Sequence, residues 1–118
     1  MKKKNKVAYI AGSISDRLDT YQYDFCDCEM VLNHLGYVVL SPAWLPVGLH
    51  EYDDYMNIGE QMLRASDLVV FLEGWEKSVG ASIEHDLAMG LHKKIVYYNK
   101  NRGCRTQLSR AFGRQMQK

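Results

Sequence analysis

Little in this chain points to a specialised environment. It has three cysteines, Cys26, Cys28 and Cys104, an odd number without framework spacing. That excludes a disulfide scaffold and argues for reduced thiols. Cys26 and Cys28 stand two apart in a helical stretch, where such neighbours point to nearly opposite sides, and no histidine pairs with them at ligand spacing. No metal or organic cofactor is expected. Charge of one sign is also missing. The formal net charge is +1, which leaves no broad basic footprint for duplex nucleic acid. Lys2, Lys3, Lys4 and Lys6 at the start, and Arg102, Arg105, Arg110 and Arg114 at the end, read as solvated termini. No window is long and apolar enough to span a membrane. The opening "MKKKNKVAYIAGSIS" has the charged start of a secretory signal. Its apolar stretch is too short and runs straight into Gly12, Ser13 and Asp16, so a cytoplasmic location is expected.

What is present suits one compact domain over residues 1–118, with 47% hydrophobic and 25% charged residues. Four apolar, β-branched runs stand out: "VAYIAG" (7–12), "YVVLSP" (37–42), "DLVVFLEG" (67–74) and "KIVYYN" (94–99). Each is nearly continuous rather than alternating, as strands are when both faces of a parallel sheet are covered. Helical periodicity fills the intervals. Residues 20–35 carry Phe25, Val31, Leu32 and Leu35, with Gly36 as the stop. Residues 54–65 carry Tyr55, Ile58, Met62 and Leu63. Residues 79–92 carry Val79, Ile83, Leu87 and Leu91 every four positions, which predicts a core stripe. A last helix is expected over about 105–115. The alternation predicts an α/β fold: a three-layer, doubly wound, flavodoxin- or Rossmann-like parallel sheet with strand order 2-1-3-4. Ligands of such sheets bind beyond the carboxyl ends of the strands, here residues 10–16, 41–50 and 73–80.

Three features lie on that edge. Gly12 and Ser13 end the first strand in "YIAGSIS", where backbone amides can approach a phosphate or sugar; the spacing is not the dinucleotide fingerprint, and a plain strand-to-helix turn accounts for it equally. In "GWEKSVGASIE", Ser78 is a natural helix N-cap, and Gly80 allows a ligand close to the backbone. Ser78 would cap that helix in any case. Glu84 lies at the margin of the Val79–Ile83–Leu87 stripe, with Gly80 one turn before it and Ala88 one turn after. Small residues on both sides leave space above a carboxylate; most helical glutamates are simply solvated. Tyr9, Trp44, Tyr55 and Trp75 gather at the same edge. Trp75 follows the third strand and suits stacking on a nucleobase or covering the core.

These residues resemble the nucleoside 2-deoxyribosyltransferase superfamily. The likeness is closest to its hydrolase branch, the 2′-deoxynucleoside 5′-monophosphate N-glycosidases, and to related bacterial and phage proteins. It rests on "YIAGSI", "ASDLVVFLEG" and "SVGASIEHDLAMGLHKKIVYY", about a third of the chain. The resemblance implies that Glu84 is the nucleophile attacking the anomeric carbon of 2-deoxyribose, and that Tyr9 orients it. It implies that Gly12, Ser13, Trp75, Ser78 and Gly80 line a small-molecule nucleotide. A serine at 78, where free-nucleoside transferases carry Asp, resembles the monophosphate hydrolases, because a neutral donor suits a phosphate dianion. It further implies a homodimer, for which the apolar face of the 79–92 helix and the basic C-terminal helix are candidate surfaces.

Two positions depart from the pattern. Gly59 stands where the family places a second carboxylate, with Asp54 and Glu60 as the neighbouring acids. Ser15 stands where the hydrolases carry an arginine, with Arg17 nearby. A non-catalytic, nucleotide-binding or sequestering protein on the same scaffold is the alternative that Gly59 favours.

Overall fold

The structure, a computed structural model, describes residues 6–46, 48 and 52–99. The last helix expected over 105–115, and Cys104, lie outside these residues. The chain runs β1 (Val7–Ala11), α1 (Tyr21–His34), β2 (Val38–Leu40), α2 (Tyr52–Ala65), β3 (Leu68–Leu72), α3 (Val79–Gly90) and β4 (Lys94–Tyr98). All strands are parallel in the order β2-β1-β3-β4. The α/β fold and the 2-1-3-4 order read from the sequence are those observed.

The continuous apolar runs have a direct structural cause. Along β1 and β3, successive side chains enter different cores. Ala8, Ile10, Leu68, Val70 and Leu72 pack with Phe25, Cys28 and Leu32 of α1. Tyr9, Ala11, Val69 and Phe71 pack with Leu63 of α2 and Ala88 of α3. Neither face meets water, so neither alternating position can be polar. β2, at the sheet's edge, exposes Val38 and is only three residues long.

Local signals set the ends of the elements. α1 stops in a Schellman arrangement: Gly36 takes φ 93°, its N–H donates to Asn33 O at 3.0 Å, and Tyr37 N–H donates to Leu32 O at 3.0 Å. α3 ends in the same way, but with His92 at φ 56° in the left-handed position. Here His92 N–H donates to Met89 O and Lys93 N–H to Ala88 O. A histidine gives no stop signal, which is why the sequence pattern carries that helix two residues too far. At the amino edge of the sheet, Asp67 accepts a hydrogen bond from Val7 N–H at 2.8 Å. Asp67 therefore belongs to the edge opposite any ligand.

The stripe expected on α3 is not the buried one. Val79 is 72% exposed and Ile83 51% exposed, while Leu87 and Leu91 are half-buried. The side chains that face inward are Gly80, Ala81, Glu84 and Ala88. The reason is steric. Tyr9 and Phe71 fill the space between sheet and helix from the sheet side, so the helix presents its smallest residues and turns its branched ones outward. Cys26 is exposed and Cys28 buried, on opposite sides of α1 as expected.

Candidate active site

A cavity of about 740 Å³ opens beyond the carboxyl ends of the strands. Its walls come from the segments that leave β1, β2 and β3, together with the first turns of α3 and part of α2. Tyr9, Gly12, Ser13, Ser78, Gly80 and Glu84 all border it. Tyr55 borders it too, and its hydroxyl donates to Pro46 O at 2.8 Å. The edge named from topology is thus where the space is.

Glu84 is more deeply held than a marginal position on the helical wheel suggests. It is only 7% exposed, and its Oε2 accepts a hydrogen bond of 2.7 Å from the Tyr9 hydroxyl, itself 1% exposed. Burial disfavours the carboxylate and pushes its pKa up to about 7; the Tyr9 hydrogen bond acts in the opposite direction. Burial also raises the Tyr9 hydroxyl well above its ordinary value, and the neighbouring Glu84 charge adds to this. Tyr9 therefore remains a donor and Glu84 an acceptor. Carboxyls whose pKa is raised by burial beside a cavity are concentrated at functional sites.

Ser78 has extended backbone angles, φ −102° and ψ 125°, and its Oγ accepts from Ala81 N–H at 3.1 Å. It is the N-cap of α3. The amides of that first turn and the positive end of the helix lie at the cavity. Ser13 is buried, and its hydroxyl donates to the Asp16 carboxylate. Gly12 has a packing reason of its own: a Cβ there would lie 3.1 Å from the Leu72 side chain.

Several expected residues are placed elsewhere. Trp75 is not brought to this cavity. It stacks on His85 with ring centres 4.2 Å apart, and His85 Nε2 in turn lies 2.8 Å from the Tyr97 hydroxyl. Trp75 and Tyr97 border a second, smaller hollow of about 380 Å³. Gly74 takes a left-handed turn, φ 90°, just before Trp75, and the indole packs on the core beside Phe71, with ring centres 5.2 Å apart. Trp44 is 53% exposed and donates from its indole to Glu29. Glu60 pairs with Arg64 at 3.0 Å on the outside of α2. Arg17 is tied to Asp24 and to Ser13 O, behind the cavity wall. Conversely, Asp16 and Lys77 border the cavity without having been singled out. Their signals were present: Asp16 lies three after Ser13, and Lys77 immediately precedes the cap. Among the described residues, no group of three or more His, Cys, Asp or Glu is arranged to hold a metal ion. No helix among them is long and apolar enough to cross a membrane.

Comparison with known proteins bears on this architecture. Among solved structures, the chain is similar to a 2-desoxiribosyltransferase from Leishmania mexicana, with a TM-score of 0.64 and 20% identity. It covers 80% of this chain and 64% of the Leishmania protein, so this chain spans less than two thirds of that protein's length. It is also similar to the 2-deoxyribosyltransferase of the psychrotolerant bacterium Bacillus psychrosaccharolyticus, with a TM-score of 0.60 and 16% identity over 79% of this chain and 72% of the other. At these identities the likeness is one of fold. No curated protein matches. A family model, the domain of unknown function DUF4406, matches residues 6–97, and the chain belongs to that family.

Proposed function

We propose that this protein cleaves or transfers at the N-glycosidic bond of a 2′-deoxynucleotide, with a 5′-monophosphate as the substrate class. The observation that carries this reading is the Tyr9–Glu84 pair: a buried carboxylate, oriented by one hydrogen bond of 2.7 Å, in the wall of a nucleotide-sized cavity. Glu84 attacks the anomeric carbon. The C1′–N bond breaks with its electron pair on the base nitrogen, which takes up a proton. The resulting sugar ester on Glu84 is opened by water, which leaves a hydroxyl on C1′, releases a proton and frees the carboxylate. A second base in place of water gives transfer instead. The first turn of α3, capped by Ser78, and the ammonium of Lys77 supply amide donors and positive charge for the phosphate.

The exposed Val79, at the cavity's edge, and Ile83, one turn further along α3, are the surface on which a second copy would pair, and sedimentation of the wild-type protein tests that part. The fold likeness to two deoxyribosyltransferases supports the reaction class.

Release of free base from a panel of 2′-deoxynucleoside 5′-monophosphates and 2′-deoxynucleosides, followed by chromatography, tests the reaction. Glu84→Ala is expected to lower the rate by at least about 10³-fold. Only ionised Glu84 attacks, so kcat/KM of the wild type rises with pH and levels off above about 7. Nucleotide binding in calorimetry, with no base released from any member of the panel, selects the non-catalytic binding protein instead.

A further inference from the structure

α2 carries a glycine in the middle of its 14 residues, a position where glycine weakens a helix. Gly59 is buried against the Tyr9–Glu84 pair. A Cβ built on it would lie 2.7 Å from Glu84 Oε2 and 2.9 Å from the Tyr9 hydroxyl oxygen. Real Cβ contacts are not that short, so any side chain at 59 must displace the carboxylate, the phenol or the helix. Gly90 makes the contrast. It ends α3, with nothing within 4 Å of the Cβ it lacks.

We infer that Gly59 is a positioning residue: its bare backbone is the seat into which Glu84 Oε2 and the Tyr9 hydroxyl fit, leaving Oε1 as the oxygen presented to the sugar. The consequence for the site is sharp. Gly59 stands where the resembled family carries a second acid, and in this chain an acid there requires Glu84 or Tyr9 to move. A carboxylate at 59 and this seating of Glu84 exclude each other.

The catalytic part of this inference rests on the proposed reading of Glu84 as nucleophile; the structural part does not, and the experiment separates them. Gly59→Ala, with Gly90→Ala as its control, is examined by thermal unfolding in the wild-type and Glu84→Ala backgrounds. Helix propensity alone makes Gly59→Ala stabilising, so the inference expects the opposite sign: a lowered Tm, with most of the loss abolished once Glu84 is removed. In carbon-13-labelled protein, the Glu84 carboxyl midpoint falls from about 7 in Gly59→Ala, because the displaced group is better hydrated. It is unchanged in Gly90→Ala. Where the wild type turns over a nucleotide, Gly59→Ala lowers kcat roughly 100-fold with KM held within about threefold. A raised Tm with an unmoved midpoint overturns the inference, and so does a Tm loss of equal size in both backgrounds. If Gly59→Ala does not fold, it is combined with Glu84→Ala and Tyr9→Phe, which remove both contacts: folding supports the seat, and failure to fold refutes it. If the wild type releases no base, the reaction falls, and the midpoint and the paired Tm values still judge the seat.

Discussion

The two faces of the sheet are built on different terms. On the α1 face, Phe25, Cys28 and Leu32 close over Ala8, Ile10, Leu68 and Val70, with the rings of Tyr37 and Tyr98 completing the cluster. On the α2–α3 face, the same two strands put Tyr9 and Phe71 against a helix of small residues, and an ionisable group, Glu84, is buried among them. One face spends its area on cohesion. The other gives up apolar contact to hold a carboxyl where burial raises its pKa to about 7. In a parallel sheet with two covered faces, the site announces itself by which core contains the charge.

Three substitutions sharpen that contrast. The largest stability effect belongs to the apolar face. Phe25→Ala empties a fully buried ring site and is expected to cost about 3–5 kcal/mol in chemical denaturation, while the Glu84 midpoint in the remaining folded protein stays near its wild-type position. Glu84→Gln tests the other face through pH. The folded-state pKa of this acid is raised from 4.5 to about 7, so the native state holds the proton more tightly than the unfolded chain. The wild type therefore loses stability as pH rises from about 4.5 to 7. Relative to it, Glu84→Gln gains up to roughly 3 kcal/mol at pH 8 and little at pH 4. A difference between the two proteins that is the same at both pH values would contradict the placement of Glu84. The smallest effect falls on the stripe that only looks like core. Ile83→Ser, on an outward face, is expected to change stability by less than about 1 kcal/mol at protein concentrations where the chain is monomeric, whereas a core isoleucine would cost several times that.

The sequence discloses the sheet because the signal there is redundant. Both faces of β1 and β3 demand apolar residues, so the pattern survives any error about which side chain faces where. α1 reads equally well, because Gly36 is both the end of the pattern and the residue the left-handed cap prefers. α3 is harder. Hydropathy ranks Val79 and Ile83 above Gly80 and Ala88, but burial follows fit, and the bulk between helix and sheet is already supplied by Tyr9 and Phe71. The Tyr9–Glu84 pairing joins residues 75 apart in the chain, which no local pattern encodes; family resemblance alone suggested it. Of the two roles open to Trp75, packing on the core is the one the turn at Gly74 serves, since it sets the ring against Phe71 and His85. The signals of Asp16 and Lys77 do not distinguish them, because a short polar loop residue and a lone lysine are common everywhere.

The contact between Gly12 and Leu72 has a wider implication for how such chains are compared. The residue leaving the first strand is small where its neighbour at the end of the adjacent strand β3 is large, at 3.1 Å from where a methyl would sit. The pair is a single volume shared between two positions. A relative with alanine or serine at the first position is expected to carry a slimmer partner at the second, so a glycine there has a packing reason whether or not a ligand lies beyond it.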